Sequence, residues 1–520
     1  MYSGKDLYPS HYFLHNMKFA ILDCYTDEPA GLGVPPYIGT YPRYIAGAIA
    51  SAGHEYYYFT IDDFRLYFGY KGVIKKSQKT NIKIKNITPN CQNISKILNQ
   101  IDAIIVISGV QTPGKYLSAM PGTVKEVENL TREIKHIKIL TGPAALAGEG
   151  LFGGRIARVN FDYFDLVAPN LEYKFDELLK NNLEKDADVN ADYSKLRKIS
   201  ILGAEIVKQH PGYPEIIAEI ETAKGCSRKV GCSFCTEPIK NRFERRDVKD
   251  IIDEVKALNK LGIQHFRLGK QSDFFDRDSA EIEAMLKGIR ESCDIKTLHI
   301  DNIDPVKVND EKVKLVVKYC TEGNVAALGI ESFDPEVIKS NYLNSAAEVS
   351  MKAIRIINAH GAERGTNGMP KFLPGINLLF GLKDETKKTH EHNMEHLNKI
   401  LNENLLVRRI NIRQVVAFPG TKLYQDCGDK FIKKNKRYYW KWRDEIRQAI
   451  DNPMLKKLVP AGTVLRDVRM EMHDGNTTFG RQFGTYPLIV GVKQKLETGR
   501  VYDVKVTGHM LRSVTAEVIL

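Results

Sequence analysis

The 520-residue chain has no run of eighteen apolar residues, so nothing in it reads as a membrane-spanning helix. Met1 to Asn16 lacks the basic-then-apolar order of a secretory signal, and a cytoplasmic protein with no membrane partner is expected. Internal repeats and low-complexity tracts are also missing, which leaves ordinary globular domains. Hydrophobic residues at 43% and charged residues at 27% fit that class, and the length predicts two to four domains. Cysteine is scarce. Five of the eight (Cys24, Cys91, Cys293, Cys320, Cys427) are scattered and odd in number, as buried thiols of a reducing compartment would be.

The other three cysteines stand together in C-S-R-K-V-G-C-S-F-C-T-E-P, residues 226 to 238. Five residues separate Cys226 from Cys232, and two separate Cys232 from Cys235. Three thiolates on one loop leave the fourth corner of a [4Fe–4S] cubane open to a substrate or cosubstrate. A structural zinc site would need a fourth Cys or His at motif spacing, and none lies nearby.

An apolar, partly alternating strand, Ile216 to Thr222, feeds this loop through Lys224-Gly225, and Phe234 immediately precedes the last cysteine. The E-T-x-x-G-C…C-S-F-C arrangement resembles the cluster loop of the radical S-adenosylmethionine (SAM) enzymes. The commonest spacing in that superfamily is three residues between the first two cysteines, where this chain has five. The resemblance implies that Cys226, Cys232 and Cys235 ligate a [4Fe–4S] cluster. It further implies that SAM is the cosubstrate, cleaved by the reduced cluster to a 5′-deoxyadenosyl radical.

Beyond the loop, strand and helix signals alternate. Strands are predicted over 265–268, 297–300, 325–330, 376–380 and 410–416, with a helix over 248–261. With the strand before the cluster they make six βα units, a partial TIM-type (β/α)6 barrel whose chemistry belongs at the strand C-termini. L-G-I-E-S-F-D-P resembles the radical SAM fourth-strand segment, which makes Glu331 and Ser332 candidate SAM contacts. G-L-K-D-E-T resembles the fifth-strand turn and places Glu385 there, the alternative being that Glu385 orders its own turn. Phe234 beside the last cysteine and Asp273 at a strand end complete the cofactor-binding candidates. Asp301 and Asn302 occupy similar strand-end positions, the alternative for each being a turn residue.

Before the cluster, strands at 18–24, 55–60, 101–108 and 137–141 alternate with helices at 41–52 and 124–134, as in an open, Rossmann-like parallel sheet. A Gly/Pro-rich loop spans 31–39, and 71–85 reads as a lysine-rich exposed hairpin, the alternative being an RNA contact. P-P-Y-I-G-T-Y-P-R-Y-I-A-G-A-I-A and D-Y-F-D-L-V-A-P-N-L-E-Y-K-F-D-E-L-L resemble the cobalamin-binding domain that precedes many radical SAM barrels. The D-x-H-x-x-G segment that supplies an axial histidine in one group of cobalamin proteins is absent, so cobalamin stays open as a cofactor.

From Arg408 to Arg447 twelve Lys/Arg stand against four Asp/Glu, and K-K-N-K-R-Y-Y-W-K-W-R within this span holds both tryptophans. Two readings stay open: a nucleic-acid contact, or a helix packing its aromatics inward with its cations in solvent. Short β-like runs at 463–472, 488–492, 501–507 and 513–520 predict a small β-barrel. Its closing V-Y-D-V-K-V-T-G-H-M-L-R-S-V-T-A-E-V-I resembles the TRAM domain, an OB-like RNA-binding module. T-F-G-R-Q-F-G-T-Y-P departs from TRAM sequence. Together with C-S-F-C-T-E-P it resembles a group of archaeal radical SAM proteins.

The expected organisation is therefore a cobalamin-domain-like module at 16–185, a radical SAM partial barrel at 210–450 and a TRAM-like barrel at 458–520. The expected activity is radical modification of RNA, tRNA in particular, by methylation or related group transfer. An electron donor such as a ferredoxin or flavodoxin is an expected partner. Methylthio transfer ranks below methylation, because the resembling methylthiotransferases carry a second cluster on three N-terminal cysteines and only Cys24 and Cys91 are available here. The alternatives are a radical SAM enzyme acting on a protein or small molecule, with or without cobalamin, and a non-catalytic Fe–S RNA-binding protein.

Overall fold

The computed structural model describes residues 16–25, 37–69, 92–109, 121–151, 155–157, 159–180 and 192–519. The lysine-rich 71–85 segment and most of the 31–39 loop lie outside these residues. No helix among the described residues is long and apolar enough to cross a membrane.

The N-terminal part forms a five-stranded parallel sheet, in the order Glu55–Thr60, Lys18–Asp23, Ala103–Ile107, Ile137–Thr141, Leu166–Val167. Ala103–Ile107 (AIIVI) is buried throughout, as a parallel strand covered on both faces must be. In chain order the sheet reads 2-1-3-4-5, the flavodoxin-like doubly wound arrangement. Its topological switch point falls between Lys18–Asp23 and Ala103–Ile107.

The central barrel has two parallel sheets. One runs Thr297–Ile300, His265–Gly269, Ile217–Glu221, Tyr37–Ile38, and the other Asn324–Glu331, Phe372–Phe380, Arg409–Gln414. A single parallel bridge, Ile303 to Leu328, joins them. All six expected strands are present. A seventh, Tyr37–Ile38, comes from the N-terminal part and pairs with Ile217–Ala218. It seats the following helix, Thr40–Ser51, against the barrel, where Arg43 is fully buried. The Arg43 and Arg246 guanidiniums clasp Glu254 from two sides, and Arg43 also donates to the Glu219 carbonyl. Burial alone would push the Glu254 carboxyl up, but the two guanidiniums hold it below its ordinary range. One apolar core runs from Phe19 and Ile21 through Tyr44 and Ile45 to Leu268, Ile300 and Ile376.

The C-terminal part is a closed five-stranded barrel, in the order Val464–Asp474, Thr477–Arg481, Ile489–Val492, Ser513–Val518, Val501–His509. This is the small β-barrel expected, with Thr477–Arg481 as a strand that apolar periodicity does not signal. The loop after that strand enters the central barrel from its base. Phe483 stacks on His265 with ring centroids 4.0 Å apart. Thr485 N donates to His299 Nδ1 at 3.1 Å, and Tyr486 Oη donates to Asp301 Oδ1 at 3.0 Å. Arg267 lies between Asp301 and Glu219, 3.1 Å from Glu219 Oε1, and donates to Tyr37 Oη at 3.3 Å. Asp301 thus serves this buried network.

The basic aromatic stretch lies in the helix Lys430–Ile446. Tyr439 and Trp442 are buried, with Trp442 stacked on His390 and Tyr438 at 5.2 and 5.3 Å. Trp440 is 47% exposed, on the same face as the exposed Lys433, Lys434, Lys436, Arg437 and Lys441.

Candidate active site

The chain passes from the strand Ile217–Glu221 to the cysteines through Ala223–Gly225. Gly225 has φ +75°, and a Cβ there would stand 2.6 Å from Phe243 Cα, so glycine is required. Glu237 fastens the far side of the loop, its Oε1 accepting from Gly225 N at 3.2 Å and Asn241 Nδ2 at 2.7 Å. Between the last two cysteines, buried Ser233 donates from N and Oγ to Asn341, at 2.9 and 2.8 Å. The Ser233 carbonyl accepts from Leu423 N at 2.7 Å. These bonds reach across the barrel, so the loop's shape is set by the whole fold.

Cys226, Cys232 and Cys235 are all half-buried and line one cavity of about 370 Å³. That volume lies within the range of small-molecule and cofactor sites. Arg228 Nη1 donates to Cys232 Sγ at 3.0 Å, and Glu237 N donates to Cys235 Sγ at 3.4 Å. Burial pushes the Cys232 thiol up to about 11 and the Cys235 thiol up to about 12, so metal binding must displace protons there. Among the described residues, no three His, Cys, Asp or Glu side chains gather closely enough to hold one metal ion. A cubane makes a different demand, because each thiolate takes its own iron and the sulfurs stand apart. Three thiols facing one cavity, with sulfur-directed N–H groups behind two of them, fit that demand.

The opposite wall comes from the strand ends. Glu331 lines the cavity just past a register shift against Phe372–Phe380, and its φ of +63° is left-handed. Lys270, after the strand His265–Gly269, has φ +65° and also lines the cavity. Two non-glycine residues in this strained region, both facing one cavity, mark a site where backbone cost is tolerated for side-chain placement. Burial pushes the Glu331 carboxyl up to about 7, with Arg413 pulling the other way.

The remaining candidates are placed as follows. Phe234 and Asn302 line the cavity. Asp273 lines it too, but its Oδ1 accepts from Phe275 N at 2.9 Å and Asp304 N at 3.0 Å, so it ties two loops together. Ser332 is not on the cavity wall: it is buried, and its Oγ accepts from Asp334 N at 3.1 Å. Of the two residues suggested by the fourth-strand resemblance, the cavity wall takes Glu331, just past the register shift, and leaves out Ser332. Glu385 is also buried away from the cavity and orders its own turn, accepting from Gly381 N and Asn435 Nδ2, each at 2.8 Å. Sequence reasoning missed Asn377, a cavity-lining residue paired with Asn411 at 2.8 Å. A lone asparagine inside the apolar G-I-N-L-L-F run was the available signal.

A family model for the radical SAM superfamily matches residues 220–396. An uncharacterized protein of Methanocaldococcus jannaschii is 44% identical over 529 residues, spanning 96% of this chain and 93% of the relative. A second uncharacterized protein, from Archaeoglobus fulgidus, is 38% identical over 517 residues, spanning 96% and 90%. A shorter match, 32% identical over 130 residues, is to the ribosomal protein uS12 methylthiotransferase RimO of Campylobacter fetus, spanning 22% of this chain and 29% of RimO. Among solved structures, the radical SAM methyltransferase TsrM from Kitasatospora setae, with cobalamin and a [4Fe–4S] cluster bound, superposes with TM-score 0.51 at 13% identity. The match covers 79% of this chain and 74% of TsrM. At that identity the likeness speaks to the fold. The loop, the barrel and these similarities agree: the chain is a radical SAM superfamily enzyme, in one family with the two archaeal proteins.

Proposed function

We infer that the protein modifies RNA, tRNA in particular, by methylation or a related group transfer at the cysteine-lined cavity. Cys226, Cys232 and Cys235 would hold the cluster, and Glu331, Asn377 and Phe234, which line the same cavity, would receive SAM. Bound there, the reduced cluster supplies one-electron reductive cleavage of SAM. The protein's own part is to hold the thiolates, orient the cosubstrate and keep water from the reacting atoms. We assign this work to three units, 16–185, 210–450 and 458–520, the last being the TRAM-like barrel.

The observation that carries the RNA reading is the solvent face of the helix Lys430–Ile446. Trp440 stands exposed among five exposed cations, and the Arg443 guanidinium lies 5.4 Å from its ring centroid. Nucleic-acid single strands bind such surfaces by phosphate pairing and base stacking. The short helix just before this one, Lys422–Asp426, contacts the cluster loop through Leu423 N, which ties the chain leading into Lys430–Ile446 to the mouth of the barrel. The test is binding of tRNA transcripts by fluorescence anisotropy. Trp440→Ala should weaken binding about 5- to 150-fold, the loss of roughly 1–3 kcal/mol of stacking. Absence of RNA binding by an enzyme that still cleaves SAM would turn the reading to a protein or small-molecule substrate.

Two observations favour that second reading. RimO, by its name, acts on a ribosomal protein. The N-terminal sheet has the doubly wound order whose switch point holds ligands, which keeps cobalamin as an alternative cofactor. At that switch point Ser108 already donates to Glu149 at 2.7 Å and Cys24 is fully buried, so a corrin would be held by other groups.

A further inference from the structure

The three cluster-loop sulfurs are not equivalent. Cys235 Sγ meets a neutral backbone donor, Glu237 N at 3.4 Å, whereas Cys232 Sγ meets a guanidinium, Arg228 Nη1 at 3.0 Å. Arg228 is held at its other nitrogen as well, Nη2 donating to the Tyr342 carbonyl at 2.7 Å. Tyr342 itself takes a left-handed φ of +53°, so its carbonyl is set in place by a tight turn.

The long spacing between the first two cysteines has a use in this geometry. Of the five intervening residues, Ser227 accepts from Lys307 Nζ at 3.1 Å, while Lys229 and Val230 face solvent, Val230 being 56% exposed. Arg228 alone turns back onto a sulfur. The extra length lets one side chain of the loop fold over its own ligand.

We propose that Arg228 is a positioning residue that raises the reduction potential of the cluster held by Cys226, Cys232 and Cys235. This rests on the reading that those cysteines hold a [4Fe–4S] cluster. Reduction adds one negative charge to the cluster. A fixed cation donating to a ligand sulfur stabilises the reduced form more than the oxidised one, and strongly so where solvent is partly excluded. The consequence is a cluster that accepts its electron from a milder donor and drives SAM cleavage less strongly. Arginine suits the position because its planar fork serves the sulfur and the Tyr342 carbonyl at once, which a lysine ammonium cannot do in the same geometry.

The experiment is an anaerobic redox titration of the reconstituted full-length protein, followed by electron paramagnetic resonance, beside iron and sulfide analysis. Arg228→Met, with cluster content unchanged, should shift the midpoint negative. The ratio of oxidised to reduced cluster at a fixed poise should change by about tenfold, or 59 mV for a one-electron couple. Arg228→Lys, which keeps the charge, should recover part of the shift, and Arg228→Gln less. A midpoint unmoved in all three variants, or shifted positive, overturns the proposal. So does a cluster that assembles in none of them, since Arg228 would then serve assembly rather than potential. Failure of the wild-type protein to take up a cluster would instead sink the reading beneath it.

Discussion

The two ends of the central barrel solve opposite problems with similar residue types. At the base, charged and aromatic side chains are closed against one another: His265 under Phe483, His299 under Thr485 N, Asp301 between Arg267 and Tyr486. At the mouth, polar side chains face a cavity of about 370 Å³, two of them on left-handed backbone. Burying polar groups costs stability unless they are paired, and each of these base residues has at least one partner. The mouth keeps groups turned toward a ligand and tolerates strain to aim them. The difference sets the mouth apart as the candidate site, while the loop of the C-terminal barrel packs against the strands at the other end.

The largest expected effect that sharpens this comparison is at the mouth. Cys232→Ala should abolish cluster retention and production of 5′-deoxyadenosine from SAM, while changing the chain's unfolding free energy by about 1 kcal/mol or less. Iron analysis, the product assay and chemical denaturation measure the three quantities. At the base the pattern should invert. Phe483→Ala removes the ring stacked on His265 and should cost about 3 kcal/mol in denaturant unfolding. Cluster content at temperatures well below the transition should stay near wild type. If Phe483→Ala left stability untouched, or Cys232→Ala unfolded the protein, the two ends would not divide as described.

Legibility in the sequence followed the same division. Strands buried on both faces, such as Ala103–Ile107 and the 376–380 part of Phe372–Phe380, announced themselves as apolar runs. The cysteine loop was legible because its three cysteines are local in sequence. Features made by distant contacts were not. Tyr37–Ile38 is a two-residue strand in a Gly/Pro-rich stretch, and only its pairing with Ile217–Ala218 makes it one. Thr477–Arg481 buries Thr478, Gly480 and Arg481, so no apolar alternation marks its inward face. The Gln482–Tyr486 loop departs from the expected barrel sequence because it packs into another unit. Ser332 was suggested by a resemblance, and its bond to Asp334 N follows an irregularity in strand pairing that a single sequence does not register.

The smallest effect, and the finest test of the comparison, is the pH dependence of stability. At the base, burial lowers the His299 imidazole to about 4, and Nδ1 accepts from Thr485 N while Nε2 faces the Glu322 carbonyl at 3.2 Å. Between pH 4 and the ordinary histidine value near 6.5, the unfolded chain binds this proton and the folded one does not, so stability falls on acidification. Beside the mouth, burial pushes the Glu385 carboxyl up to about 7, with Gly381 N and Asn435 only partly offsetting it. Between the ordinary carboxylate value and pH 7 the folded chain holds the extra proton, so there stability falls as pH rises. The two groups therefore tilt the same pH window in opposite directions. His299→Gln should flatten the acid-side loss and Glu385→Gln the loss toward neutrality, each by on the order of 1 kcal/mol in denaturation curves taken from pH 4.5 to 7.5. Slopes that move in the same direction in both variants would break the contrast between a buried imidazole that stays neutral by shedding its proton and a buried carboxyl that stays neutral by keeping one.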